Sequence, residues 1–254
     1  MATVKIREVI LGEGIPKICV PLIGKDIEEL EREAKVLNDE DFDLVEIRAD
    51  FFEDIYNIEK VKEAIYRIRR ILKNIPILFT FRSYREGGKQ EVSDEFYFKL
   101  NTEVSKMGLI DAIDIELFNE EIKILELVKI AHENKIKVIM SNHDFHKTPK
   151  SEEIISRLLK MQQLGADVTK IAVMPKYSSD VLELLKATDE MKLKHADCPF
   201  STISMDGYGL ISRISGEIFG SALTFGAVKK SSAPGQLNVK ELKKILRLIH
   251  EELK

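Results

Sequence analysis

The sequence predicts an α/β protein, a closed (β/α)8 TIM barrel, from three observations. Short apolar runs rich in Val, Ile and Phe recur eight times, and each is followed by a longer stretch with apolar residues at helical spacing. The repeat is about 29 residues, the length of a strand, a crossover helix and two short loops. The runs are apolar on both faces, as strands covered by helices require. Eight units favour closure over an open doubly wound sheet.

In chain order the strands are expected at KICVPLI from Lys17, LVEIRAD from Leu44, IPILFTFR from Ile75 and AIDIELF from Ala112. KVIMSNHDF from Lys137, VTKIAVMP from Val168, PFSTISM from Pro199 and ALTFGAV from Ala222 complete the set. Between them, Asp26 is placed to cap IEELEREAKVL, Ser93 a helix carrying Phe96, Leu100 and Val104, and Ser151 a helix carrying Ile154 and Leu158. The preceding VKIREVILGEG reads as two short strands around Gly12 and Gly14, a short N-terminal β-hairpin closing the amino-terminal end of the barrel. No stretch is rich enough in Pro, Gly or Ser to link two domains. Residues 1–254 are therefore expected to form one domain, with 1–15 as the hairpin plug and 16–254 as the barrel.

Composition narrows the function classes. With 44% hydrophobic and 32% charged residues the chain has core material but too many charges for a fibre or a membrane protein. A net charge of −4 supplies no positive field for nucleic acid or an anionic lipid surface. Neither partner is expected. Cys19 and Cys198 have no second Cys or His at metal-ligand spacing, which points away from zinc or a disulfide framework and toward a reducing compartment. The first residues mix charge with apolar side chains and lack a signal-peptide core, and nowhere do about 18 apolar residues run together, so a cytoplasmic location is expected.

The chemistry of such a barrel sits at the carboxyl ends of its strands, so the informative residues are charges on otherwise apolar strands. Glu46 and Arg48 lie two apart in LVEIRAD, on one face of the strand, with Asp50 as a third member. They form either a self-satisfied buried ion pair or part of a site. FTFR puts Arg82, a guanidinium able to hold a carboxylate through two bonds, at a strand tip, and the following SYREGG puts Glu86 in a glycine-flexed loop. In SNHDFH, His143 and His146 are three apart and face opposite ways on a strand, so they cannot share a metal. His143 has the place of a general acid/base, or of a satisfied rim histidine. Lys170, inside DVTKIAVMP, is the strongest oddity. A desolvated lysine becomes a neutral, nucleophilic amine of the kind imine chemistry needs, unless it snorkels outward or pairs with an acid. After the last two strands, Arg213, Ser232 and Gln236 offer donors suited to a carboxylate with neighbouring hydroxyls.

Together VEIRAD, FTFRSYREGG, NHDFHKTP, DVTKIAVMP and SRISGEIFGSALTFGAVKKSSAPGQ resemble the type I 3-dehydroquinate dehydratases, from Pro16 to Gln236. The resemblance implies loss of water from 3-dehydroquinate to give 3-dehydroshikimate, with no metal and no organic cofactor, in a cytoplasmic homodimer of the shikimate pathway. It implies Lys170 as the Schiff-base lysine, His143 as the general acid/base and Glu86 as the acid behind that histidine. Glu46, Arg48, Arg82, Arg213, Ser232 and Gln236 become substrate contacts, and the loop from Lys229 to Gln236 a lid. Two positions depart from the family pattern: Pro21 stands where some relatives have a serine, and Asp206 where many have glycine. The rival readings are another Schiff-base barrel lyase of the class I aldolase type, which would need a phosphate pocket, and a silent metabolite-binding barrel.

Overall fold

The computed structural model describes residues 2–228 and 232–254. Strands β1 (Val4–Ile6) and β2 (Val9–Leu11) form an antiparallel hairpin. Its turn falls at Arg7 and Glu8 rather than around Gly12 and Gly14, because Arg7 itself adopts the left-handed conformation, at φ 52°, that a two-residue hairpin loop requires. No glycine marked that turn in the sequence.

The barrel strands are β3 (Lys17–Leu22), β4 (Leu44–Arg48), β5 (Ile77–Thr80), β6 (Ala112–Glu116), β7 (Lys137–Asp144), β8 (Val168–Val173), β9 (Phe200–Ser204) and β10 (Leu223–Ala227). They are parallel and paired in chain order from β3 to β9, and β10 returns to β3. The ring closes where the Ala222 N–H donates to the Phe200 carbonyl at 2.7 Å. A two-residue strand, β11 (Leu237–Asn238), extends the outside of β10. The strands fall on the eight apolar runs, as expected.

Helices α1 (Ile27–Leu37), α2 (Ile58–Leu72), α3 (Asp94–Ser105), α4 (Glu121–Glu133), α5 (Ser151–Gln163) and α6 (Ser178–Glu190) are the crossovers between successive strands. Short helices α7 (Leu210–Ile214) and α8 (Gly216–Phe219) follow β9, and α9 (Val239–Glu252) follows β11. Asp26 and Ser93 cap α1 and α3 as expected, accepting from the amides of Glu29 and Phe96 at 2.8 and 3.2 Å. Ser151 does not cap α5; it is the first helical residue, and its amide donates instead to Glu183 of α6 at 2.8 Å. A neighbouring carboxylate there satisfies an orphan first-turn donor that no local oxygen reaches.

Period-two geometry divides each strand between two apolar layers. Outward residues such as Val45, Ile47, Ile113 and Ile171 pack with Ile65, Ile68, Leu127 and Leu158 of the helices. Inward residues form a second cluster, with Cys19, Leu44, Leu78, Ala112, Ile139, Val168 and Leu223 packed with Ile6 and Leu11 of the hairpin. Two residues further along six of the strands the interior turns polar, while β3 and β10 place Pro21 and Phe225 there. Glu46, Thr80, Asp114, Ser141, Lys170 and Ser201 are all buried there, and Arg48, Arg82, Glu116 and His143 lie two residues beyond. The fold thus supports a polar interior layer on an apolar floor.

Candidate active site

Lys170, His143, Glu46, Arg48, Arg82, Arg213, Ser232 and Gln236 line one cavity, whose apolar wall is Ala172, Ile203, Met205 and Phe225. Met205 therefore faces the cavity despite the Asp206 departure. Glu86, the remaining expected residue, stands behind His143. Its carboxylate accepts from the His143 amide and from ring Nδ1, both at 2.8 Å, and from Asn142 at 3.0 Å. Glu86 is held there by a short 3-10 turn, Tyr84–Glu86, whose chain folds back so that the Gly88 amide donates to the Ser83 carbonyl at 2.9 Å.

The tautomer of His143 follows from its partners. Arg82 Nη2 lies 2.6 Å from Nε2, and a guanidinium can only donate, so Nε2 is the acceptor and Nδ1–H donates to Glu86. Burial, then the Arg82, Lys170 and Arg48 cations, push the imidazole pKa well below its ordinary 6.5. The ring is a neutral base. Glu86 is driven the other way, upward, by burial and by the Glu116 carboxylate, against the bond from Asn142 and the Arg82 charge.

The Lys170 amine is not bare. Nζ lies 3.0 Å from Asp114 Oδ2 and 3.7 Å from Glu46 Oε1, over the Phe225 ring at 4.9 Å from its centroid. Of the sequence alternatives, pairing with an acid is what the structure shows, and the nearer acid is Asp114, which sequence reasoning missed. Glu46 is further held by Thr80 at 2.9 Å. Arg48 does not pair with Glu46; its guanidinium makes a two-bond fork to Asp50 at 2.9 and 3.0 Å, so this pair is satisfied within its own strand end. Burial and its neighbour Arg48 lower Arg82, and its Nε has no hydrogen-bond partner among the described residues.

Arg213 is a buried guanidinium. It is 2% exposed, burial alone lowers its pKa to about 10, and among the described residues it has no carboxylate partner; its Nη2 donates to the Pro234 carbonyl at 2.8 Å. Pro234 belongs to the same loop as Ser232 and Gln236, which bond each other through Gln236 Nε2 and Ser232 Oγ at 3.0 Å. Lys229, Lys230 and Ser231 of the expected lid lie outside the described residues. Asp206 takes φ 60° and ψ −175°, a region suited to glycine, and its side chain accepts from the Gly207 amide at 2.7 Å. The aspartate thus occupies a backbone conformation that glycine adopts readily. Pro21 lies in β3 and lines a separate apolar cavity with Leu22 and Leu37.

The missed residues had a signal. Asp114 and Glu116 repeat in AIDIE the two-apart spacing of charged residues read in VEIRAD, on the same inward face. Glu116 accepts the Ser83 amide at 2.8 Å, and burial raises its pKa to about 7.

A (β/α)8 barrel with a buried, ion-paired lysine and a neutral imidazole in one cationic cavity defines a class, the barrel enzymes that act on small anionic carbonyl compounds. Comparison with known proteins makes it particular. A model of the type I 3-dehydroquinase family matches residues 18–253, and the chain belongs to that family. It is 68% identical over 253 residues, the full length of both chains, to a 3-dehydroquinate dehydratase of Clostridium novyi. A crystal structure of the type I 3-dehydroquinate dehydratase of Clostridium difficile, with covalently modified comenic acid, superposes with a TM-score of 0.97 at 54% identity, covering 99% of each chain. The 3-dehydroquinate dehydratase of Geobacillus kaustophilus gives 0.96 at 36% identity, covering 100% of this chain and 98% of its own.

Proposed function

We propose that this chain dehydrates 3-dehydroquinate to 3-dehydroshikimate through a Schiff base on Lys170, with His143 as the general acid/base. The observation that carries this reading is the shared cavity, in which the amine and the imidazole face a buried guanidinium, Arg213, that lacks a counter-carboxylate among the described residues. A small carboxylate with a ring ketone answers all three. Arg213 and Gln236 hold the substrate carboxylate, while Glu46, Arg48, Arg82 and Ser232 fix the ring hydroxyls. Lys170 forms an iminium with the ketone, which draws electrons from the adjacent carbon and makes its C–H acidic. Arg82 turns from His143 to the substrate, and the freed Nε2 removes that proton. The ring expels the hydroxyl of the next carbon, which leaves as water on receiving the proton from the imidazolium. Glu86 fixes the tautomer and stabilises the transient cation. Water then hydrolyses the imine. The loop reaching Gln236 closes over the site, and no metal or cofactor takes part.

Residues 1–254 act as one domain, with 1–15 as its plug. The homodimer carried over from the family resemblance has apolar surface available in the exposed Ile122 and Leu125 of α4 and Leu182 of α6, and sedimentation measures it. A cytoplasmic setting in aromatic amino acid biosynthesis completes the reading.

Borohydride added with dehydroquinate is expected to fix the substrate carbon skeleton on the peptide containing Lys170, and product is expected as the ultraviolet absorbance of the conjugated enone. An unmodified peptide with substrate bound removes the Schiff base. Replacing His143 by Ala is expected to slow turnover by roughly 10²-fold or more, since proton transfer by a placed side chain contributes 10²–10⁴-fold; near-normal turnover removes the histidine assignment.

A further inference from the structure

Asp114 sits nearer to the reacting nitrogen than any other carboxylate contact the structure gives for Lys170. Its Oδ2 is 3.0 Å from Lys170 Nζ, while Glu46 is at 3.7 Å and already accepts from Thr80. The other oxygen, Oδ1, accepts from Ser141 Oγ at 2.5 Å. Asp114, Ser141 and Lys170 come from the adjacent strands β6, β7 and β8, with Ser141 opposite Lys170 in register. Asp114 is 1% exposed, and Lys170 is the cation it touches, while Arg48 and Arg82 also interact with its charge. The serine fixes the carboxylate plane and leaves Oδ2 aimed at nitrogen.

We propose that Asp114 is a catalytic residue, the proton acceptor and lasting counter-ion of Lys170, which takes the protons nitrogen sheds as the imine forms. This rests on the Schiff-base reading above. Oδ2 takes one proton from the ammonium, the freed lone pair closes the C–N bond to the ketone carbon, and the carbonyl π pair moves onto oxygen. Nitrogen sheds a second proton and keeps the third. The two shed protons end on the departing oxygen, which leaves as water with the C–O bonding pair, while the nitrogen lone pair makes the C=N bond. Ammonium and ketone have become iminium and water, and Asp114 is again ionised, now facing the iminium N–H.

A mere restraint on the ammonium and a proton acceptor predict opposite results when the carboxylate is removed, and the Asp114→Asn variant separates them. Two readouts are taken across pH: competitive acetylation of Lys170 by acetic anhydride, and the rate of imine trapping by borohydride with dehydroquinate. Loss of an opposite charge within about 4 Å disfavours the ammonium, so the acetylation midpoint is expected to fall by about 1 pH unit or more. Imine formation is nonetheless expected to slow by roughly 10²-fold, because the freed amine has lost its proton acceptor and the iminium its counter-ion. Asp114→Glu, which restores a carboxylate, is expected to return the midpoint toward the parent's and to recover part of the trapping. If the midpoint falls in Asp114→Asn but trapping rises, the carboxylate only restrains the amine and the proposal is overturned. If trapping falls while the midpoint stays at the parent's, its role is structural and the proposal is overturned equally. Should the Asn variant not fold, the Glu variant decides: trapping lost despite a parental midpoint overturns the proposal. A parent protein that is acetylated normally at Lys170 yet forms no imine overturns the dehydratase reading itself, a result distinct from each of these.

Discussion

Glu116 is close enough to Glu86 to raise its pKa, and its own ionisation couples the site to stability. Burial raises its pKa from 4.5 to about 7. Between those pH values the folded chain holds a proton there that the unfolded chain has released, so the fold binds more protons and loses stability as pH rises through that window. At about 1.4 kcal/mol per pH unit the contribution is about 3 kcal/mol, fully present below pH 4.5 and gone above 7. Glu116→Gln keeps an oxygen for the Ser83 amide and cannot ionise. The variant is expected to gain up to about 3 kcal/mol at pH 8 relative to the parent and little at pH 4.5, read from denaturant midpoints at the two pH values. A variant that tracks the parent at both would show that the carboxyl is already ionised without penalty. Glu86 acts with the same sign, since burial and Glu116 both raise it. Lys170, His143 and the arginines were legible from sequence because a charge on an apolar strand is expensive. Asp114 and Glu116 obey the same rule and were passed over, because no basic residue beside them in AIDIE drew attention to the pattern. Their partners, Lys170 and Ser83, arrive from β8 and from the turn after β5, and tertiary pairing of that kind leaves no local trace.

At the scale of elements, the strand ends and the turns that leave them position the chemistry. Strand placement and helix order could be read from the 29-residue repeat, while the hairpin turn and the α5 cap could not. Arg7 at a left-handed φ and Glu183 reaching from α6 both do jobs usually signalled by a local glycine or serine. The turn after β5 is legible as REGG, but its geometric demand is visible only in space. A Cβ on Gly88 would lie 2.0 Å from the Arg82 carbonyl oxygen and 2.8 Å from that of Ser83, both backbone atoms that cannot swing aside. Gly88→Ala must open this fold-back, which carries Arg82 and Glu86 on its two arms. The expected result is a loss of kcat of roughly 10-fold or more, since an orientation error of about 1 Å can cost 10²-fold. Gly108→Ala provides the contrast: its φ of 65° is left-handed, but a Cβ there meets nothing within 4 Å. Its expected cost is stability alone, about 1 kcal/mol, with kcat retained. Equal kcat for the two alanine variants would remove the turn from the catalytic apparatus.

For the whole molecule, the barrel separates what stabilises it from what reacts. The interior begins at the hairpin with Ile6 and Leu11, rises through the layer from Cys19 to Leu223, and meets the polar layer only beyond it. Arg7 ties the hairpin to Asp111 at 2.5 Å, and Asp111 also holds Arg69 and the Ile77 amide. With Arg7 a third exposed, that pair is worth at most about 1 kcal/mol, so burial of Leu11 must dominate the hairpin's contribution. Leu11 is fully buried, and truncating a core leucine costs about 2–5 kcal/mol through lost transfer energy and the cavity left behind. Leu11→Ala should therefore lower the denaturant midpoint by an amount in that range. Sites separated by more than about 7–10 Å without shared partners act additively, and strands of this length put the hairpin and Lys170 at different ends of the interior. The kcat/KM of the folded variant is accordingly expected to stay within about twofold of the parent's. A larger loss, measured where the variant is fully folded, would mean that the apolar floor transmits strain to Lys170 and Asp114, and that packing beneath the site sets the reacting geometry as well as the stability.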